Sequence, residues 1–191
     1  MRMLVTGTSG GIGAAVRDAA QARNHEVVEF NRADFDAFSQ GPNPSFPEGI
    51  FDAVVFCTGV CPIKPAVLTS DELFAETIRI NCGLFLKLIR HIVSQRLYPP
   101  SGLKIVAVSS ISVSVGWPGG AAYCASKGAL SALCRALDAE FSSKKISVKA
   151  LEPSHIRTKM FYDTAGRMGV DPATALDPAD FALQIIKETG G

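Results

Sequence analysis

Tyr123 and Lys127 stand four residues apart, and Ser110 precedes the tyrosine by thirteen. On a helix that four-residue spacing puts phenol and ammonium on one face, a turn apart. A free phenol, with a pKa of about 10, is a slow proton carrier at neutral pH. A neighbouring positive charge favours its ionised form. At about 4 Å and an effective dielectric of about 20, such a pair is worth about 4 kcal/mol, or about three pKa units. Ser110 has a hydroxyl that can both donate and accept, which suits it to polarising a carbonyl or alcohol oxygen. Singly these residues have ordinary readings: Ser110 as a strand-end cap, Tyr123 as an amphipathic helix-start residue, and Asn81 as a kink in a helical pattern.

A second set could hold phosphate. Thr6-Gly7-Thr8-Ser9-Gly10-Gly11-Ile12-Gly13 follows a short apolar run and opens a helical pattern. One glycine permits the sharp turn, one lets the backbone approach a pyrophosphate, and one lets the helix pack closely on the sheet. The helix start adds free N–H groups and partial positive charge. Alone, the glycines could be a plain turn; directly after a strand near the N-terminus they read as a dinucleotide loop. No Gly-Lys-Ser/Thr ends the loop, which excludes a kinase-type phosphate loop.

These residues need strands and helices to position them. Met3–Thr6, Glu26–Phe30, Ala53–Thr58, Lys104–Ser109 and Ser147–Glu152 are short, largely apolar runs separated by helical patterns. Such runs predict a parallel sheet covered on both faces, and right-handed crossovers make it a doubly wound α/β domain. The helical patterns cover about Ile12 to Ala22, a long stretch from a Thr69-Ser-Asp-Glu72 capping box to about Gln95, and Ala179 to Glu188 after Asp177-Pro178. Ser39 to Gly49, rich in Pro and Gly, reads as a loop. One domain, residues 1–191, is expected, without repeats or a linker.

Composition narrows the function classes. Hydrophobic residues are 47% and charged residues 19% of the 191-residue chain, which excludes a disordered protein. Nineteen Lys+Arg against eighteen Asp+Glu leave no electrostatic footprint for nucleic acid or an anionic membrane. Ile105 to Ser126 is uncharged and long enough to span a bilayer, but its serines, Pro118 and glycines argue against a transmembrane helix. The five cysteines, Cys57, Cys61, Cys82, Cys124 and Cys134, lack Cys-x-x-Cys spacing, so no metal site is expected. They read as free thiols in a reducing, cytoplasmic setting.

The ordered set of motifs resembles the short-chain dehydrogenase/reductase family. Thr6, Gly7, Gly11 and Gly13 match its Thr-Gly-x-x-x-Gly-x-Gly loop. Thr58-Gly59 resembles its Asn-Asn-Ala-Gly segment, with only the glycine kept. Asn81 resembles its helix asparagine, and Ser109-Ser110 ends the fourth strand. Tyr123-Cys-Ala-Ser-Lys127 matches Tyr-x-x-x-Lys, and Pro153-Ser-His-Ile-Arg-Thr158 resembles Pro-Gly-x-x-x-Thr with Ser154 for the glycine. The resemblance implies a Rossmann fold and hydride transfer between a nicotinamide cofactor and a carbonyl or alcohol. It implies Ser110, Tyr123, Lys127 and Asn81 as catalytic residues, with Asn81 holding a water that leads to the lysine. Cofactor contacts are expected from Gly7, Ser9, Gly11, Ile12, Gly13, Asn31, Arg32, Asp36, Thr58, Gly59, Tyr123, Lys127, Pro153, Ile156 and Thr158.

The end of the second strand bears on the cofactor. An acidic residue there would bond the ribose hydroxyls of NAD and repel a 2′-phosphate. Asn31 and Arg32 occupy that place, and a guanidinium can fork onto phosphate oxygens, which favours NADP(H) over NAD(H). Arg17 is a second candidate for the phosphate. Asp36, or failing it Asp34, could accept from the adenine amino group.

Other features depart from the family or extend it. The usual third strand reads as shortened or missing. The segment from Lys159 to Leu176, expected to be a substrate lid, is short, with Met160, Phe161, Tyr162 and Met168 as an apolar wall. His155 borders the nicotinamide side. The chain stops at Gly190-Gly191 without the family's seventh strand, so a truncated C-terminal end with five or six strands is expected. A homodimer through the helices around Leu84 to Gln95 and Ala125 to Phe141 is possible. Two rival readings are a non-catalytic NADP(H)-binding sensor or scaffold, and a sugar-nucleotide epimerase, for which the chain leaves no room for a substrate domain.

Overall fold

The computed structural model describes residues 1–31, 33–35 and 46–191, the side chains of 167 and 168 excepted. Five strands form one wholly parallel sheet in the order β2-β1-β3-β4-β5: β1 (Arg2–Thr6), β2 (Glu26–Phe30), β3 (Ala53–Phe56), β4 (Leu103–Val108) and β5 (Ile146–Leu151). The helices are α1 (Gly11–Gln21), α2 (Asp71–Ile78), α3 (Leu84–Ser94), α4 (Ala121–Phe141), α5 (Lys159–Asp163) and α6 (Pro178–Glu188). A five-residue π-helix, Arg79–Gly83, joins α2 to α3. Each strand lies within two residues, at either end, of the run read from the sequence. Along the chain, no strand lies between β2 and β3 among the described residues.

Strand geometry explains the continuous apolar runs. Successive side chains point to opposite faces. Leu4, Val54, Phe56, Ile105 and Val148 face one apolar layer with Phe85, Leu88 and Ile92 of α3 and Leu130 of α4. Met3, Val5, Val55, Val106 and Val108 face the other, with Val16 and Ala20 of α1 and Phe181 and Ile185 of α6. Helices on both faces keep the strand centres apolar, while charged residues such as Glu26, Glu29, Lys104 and Lys149 sit at exposed positions.

Helix starts follow local chemistry, with one correction. Asp177 caps α6, accepting from the Ala179 N–H, ahead of Pro178. The cap of α2 is Ser70, which accepts from Leu73 N–H at 3.3 Å, and not Thr69. The Thr69 hydroxyl instead donates to the Pro65 carbonyl, closing the preceding 3-10 turn. Helix α1 has no side-chain cap, so its first N–H groups stay open towards the crevice above β1 and β3. No helix among the described residues is long and apolar enough to cross a membrane. The uncharged stretch from Ile105 is instead β4, a short 3-10 turn and the start of α4.

Candidate active site

The loops after β1, β3, β4 and β5 open at one edge of the sheet, around a cavity of about 430 Å³. The order reversal between β1 and β3 is where open α/β sheets bind ligands. Gly7 and Gly11 have φ of +71° and +56°, values that favour glycine. A Cβ on Gly13 would sit 2.2 Å from the Gly7 carbonyl oxygen, so helix and loop touch backbone to backbone. Around Gly10 there is open space. This cradle fits a pyrophosphate lying on open helix N–H groups.

Thr6 holds the two neighbouring loops together. Its Oγ1 accepts from Cys57 N–H, Thr58 N–H and the Thr58 hydroxyl at 3.0, 3.1 and 2.9 Å. The π-helix then turns Asn81 inward, fully buried. Its Oδ1 accepts from Val60 N–H at 2.8 Å, and its Nδ2 donates to the Val60 carbonyl and the Ser126 hydroxyl. Asn81 thus clamps the β3 loop to α4. Gly59 sits where a Cβ would meet Asn81 Oδ1 at 3.3 Å and Lys127 Nζ at 3.5 Å.

Ser110, Tyr123 and Lys127 all line the cavity. Ser110 Oγ accepts from Ser112 N–H at 3.1 Å, which leaves its proton to donate. Its hydroxyl also lies near enough to the Tyr123 phenol to favour the ionised form. Lys127 is 5% exposed, and its Nζ donates to the Val108 carbonyl at 2.8 Å. A buried hydroxyl chain fixes the helix behind it: Ser131 donates to Ser109, and Ser109 to the Lys127 carbonyl.

The electrostatics invert the expectation drawn from spacing. Burial pushes the Tyr123 phenol up to about 12, the Cys61 thiol adding to it and the Ser110 hydrogen bond partly offsetting it. Burial pulls Lys127 down to about 8, offset in part by the thiols of Cys57, Cys61, Cys134 and Cys82. The ammonium is committed to a carbonyl, its Nζ 5.8 Å from the Tyr123 ring centroid, and both groups lose hydration. The neutral phenol is therefore the resting form.

Most of the expected cofactor residues meet here. Gly7, Ser9, Gly11, Ile12, Asn31, Thr58, Gly59, Tyr123, Lys127, Pro153, Ile156 and Thr158 line the cavity, as do Gly10 and His155. Gly13 and Asn81 do not line it; they support it from behind. Arg32 and Asp36 lie outside the described residues. The Asn31 amide donates to the Thr8 hydroxyl at 2.9 Å, and its backbone N–H goes to Asp34 at 2.6 Å. Arg17 is engaged by Asp18 at 2.8 Å, Glu29 at 3.8 Å and the Thr8 carbonyl at 3.4 Å, and it does not line the cavity. Of the lid residues, Met160 and Phe161 line the cavity, whereas Tyr162 is 54% exposed, one position round a one-turn helix. The five cysteines are free thiols. Sequence reasoning missed Trp117 and Ile111, whose signal was their place between Ser110 and Tyr123.

Comparison with known proteins agrees with this geometry. A family model described as enoyl-(acyl carrier protein) reductase matches residues 45–175. The chain belongs to the short-chain dehydrogenase/reductase family. Hydroxynaphthalene reductase arp2 of Aspergillus fumigatus is 31% identical over 137 residues, which are 71% of this chain and 49% of that enzyme. The chain thus spans about half the length of that relative. The NADPH carbonyl reductase 2 of Sus scrofa is 26% identical over 84% of this chain and 73% of its own. The fold matches that of a 3-oxoacyl-acyl-carrier-protein reductase from Brucella melitensis in complex with NAD: TM-score 0.85, 22% identity, covering 100% of this chain and 90% of the other. It also matches the angucycline C-6 ketoreductase LanV with bound NADP: TM-score 0.77, 20% identity, covering 97% and 86%.

Proposed function

We propose that this short-chain dehydrogenase/reductase is an NADP(H)-dependent carbonyl reductase with Tyr123 as proton donor. The observation that carries the reading is the convergence of the Ser110 and Tyr123 hydroxyls and the Lys127 ammonium in one cavity with the glycine loop. When bound, the cofactor supplies a hydride; the chain must orient the substrate and supply a proton. Gly7, Ser9, Gly11 and Ile12 would hold the pyrophosphate, with Thr58, Gly59, Pro153, Ile156 and Thr158 lining its path. Asn31 and Arg32 replace an acidic ribose clamp, which supports NADP(H); an Arg–phosphate fork would add charge-assisted bonds.

Ser110 turns its hydroxyl proton from the Tyr123 phenol to the substrate oxygen. Tyr123 then delivers its own to the same oxygen. Its raised pKa makes it a weaker acid, so the transfer depends on stabilising the phenolate it leaves, but keeps the phenol protonated across the physiological range. This suits the reductive direction. Lys127, charged below about pH 8, stabilises the phenolate that proton transfer leaves. Asn81 positions the Gly59–Val60 loop beside that ammonium.

The test is NADPH and NADH oxidation over a panel of neutral carbonyls, with wild type and Tyr123→Phe. NADPH consumption that falls by about 10²–10⁴-fold in the variant supports the reading. Tight NADPH binding with no carbonyl consumed would favour the sensor.

A further inference from the structure

Beyond the Ser110 and Tyr123 hydroxyls the cavity wall is built from Cys61, Ile111, Trp117, His155, Met160 and Phe161. Trp117 is held there by a tight turn. Gly120 N–H donates to the Trp117 carbonyl at 3.1 Å, across Pro118 and a Gly119 with φ of +79°, the pattern of a type II turn. The Gly119 carbonyl accepts from Lys64 N–H at 3.0 Å, which pins the turn to the β3 loop. A Cβ on Gly120 would lie 2.6 Å from Trp117 Cε2 and Nε1, so only glycine lets the indole rest on the backbone. The Trp117 and Tyr123 ring centroids are 5.5 Å apart, tilted by 45°. A fixed aromatic face therefore adjoins the proton donor.

The charges around the cavity are engaged. Among the described residues no aspartate or glutamate lines it. Among the described residues its lining lysines and arginines are Arg79, Lys127 and Lys159. Arg79 forms a fork with Glu76 at 2.5 and 2.7 Å, and Lys127 bonds the Val108 carbonyl. Lys159 lies in solvent and pairs with Asp163 at 2.6 Å. Apart from the His155 imidazole, a substrate carboxylate or phosphate would find no uncommitted basic side chain among the described lining residues, and a substrate amine no anion. Burying such a charge uncompensated is costly.

We propose that the site selects neutral carbonyl compounds with an aromatic, apolar body lying against Trp117, and discriminates against carbonyls bearing carboxylate, phosphate or ammonium groups. This rests on the carbonyl reductase reading. Three ketones test it: α-tetralone, its saturated counterpart 1-decalone, and a ring-carboxylated tetralone. The readout is kcat/KM with NADPH for wild type, Trp117→Phe and Trp117→Ala. Wild type should favour α-tetralone over 1-decalone by about three- to tenfold. Over the carboxylate it should favour α-tetralone by about tenfold or more. Trp117→Phe should keep most of the aromatic preference, because the indole N–H has no hydrogen-bond partner to lose. Trp117→Ala should reduce that preference to less than about twofold, with the NADPH Kd held. Comparable use of the carboxylate by wild type, or a full aromatic preference in Trp117→Ala, overturns the proposal and leaves the reductase reading standing.

If no ketone drives NADPH oxidation, the reductase reading falls, and ligand binding still decides the selectivity. Trp117 is the only tryptophan in the chain, so its fluorescence reports from the cavity wall. Titrating NADP⁺-loaded protein, with free tryptophan as the inner-filter control, should give saturable quenching by α-tetralone at about tenfold lower concentration than by the carboxylate. Equal or absent quenching overturns the proposal.

Discussion

Replacing Lys127 by methionine should stabilise the fold and destroy turnover. The lysine is buried, and its folded pKa lies at about 8 against an ordinary 10.5. That difference of about 2.5 units corresponds to about 3 kcal/mol of penalty for holding the ammonium inside at pH 7. Methionine has similar length and no charge. The change also strips the Val108 carbonyl of its 2.8 Å donor, which costs about 1–3 kcal/mol. The net gain at pH 7 is therefore small, about 1 kcal/mol, but its pH dependence is diagnostic. Between pH 8 and 10.5 the unfolded wild-type chain binds the proton that the folded chain has shed, so wild-type stability rises with pH through this one group. The penalty is fully present below pH 8 and fades by pH 10.5. The carbonyl cost does not titrate. The variant's stability relative to wild type should thus fall by about 2 kcal/mol from pH 7 to pH 9.5, turning a gain of about 1 kcal/mol into a loss of about 1 kcal/mol. Urea denaturation of both proteins at the two pH values measures it, and subtraction removes most of the opposing effect of the buried thiols and Tyr123. A difference that stays constant with pH would refute the claim that Lys127 is held against a desolvation cost.

The remaining predictions follow from the same cavity. Tyr123→Phe should retain NADPH binding but lose turnover by about 10²–10⁴-fold; near wild-type kcat would remove Tyr123 from the chemistry. Ketone reduction should decline above about pH 8, as Lys127 loses its charge while Tyr123 keeps its proton; a rate-pH profile flat to pH 10 would contradict this. Gly13→Val drives a branched side chain into the Gly7 carbonyl, which is backbone and cannot rotate away. A folded Gly13→Val protein with unchanged NADPH affinity would sink the phosphate-loop assignment. Arg32→Ala should weaken NADPH binding by about 1.5–3 kcal/mol and leave NADH nearly unchanged, which titration calorimetry can separate.

What was legible in the sequence was whatever depends on neighbours along the chain. Strand runs were legible because a doubly covered parallel strand must be apolar on both faces, and the glycine loop because its residues serve one turn. Asp177-Pro178 could be read as a helix start for the same reason. The start of α2 was misread because Thr69 and Ser70 are both competent caps. Their roles separated only when Thr69 bonded the Pro65 carbonyl, a contact set by the preceding turn.

The candidate site divides along the same line. Spacing put Tyr123 and Lys127 on one helix face, and the resemblance to the family joined Ser110 to them, because strand end, helix face and loop length are local quantities. Their protonation could not be read that way. At an effective dielectric of about 20, an ammonium aimed at the phenol would favour the phenolate. The fold instead encloses both groups and gives the ammonium to Val108, a residue nineteen positions away across the β4–α4 contact. Desolvation then outweighs pairing, and each group shifts towards its neutral form. Trp117 escaped notice for a related reason. Its Trp-Pro-Gly-Gly turn reads as an ordinary loop, and its place beside Tyr123 depends on Lys64, fifty-three residues earlier, reaching the Gly119 carbonyl. The long-range contacts that hide such features from the sequence are also what make them rigid. If Tyr123 is the proton donor, as proposed, its raised pKa and the indole beside it are set by the fold around the motif, not by the motif itself.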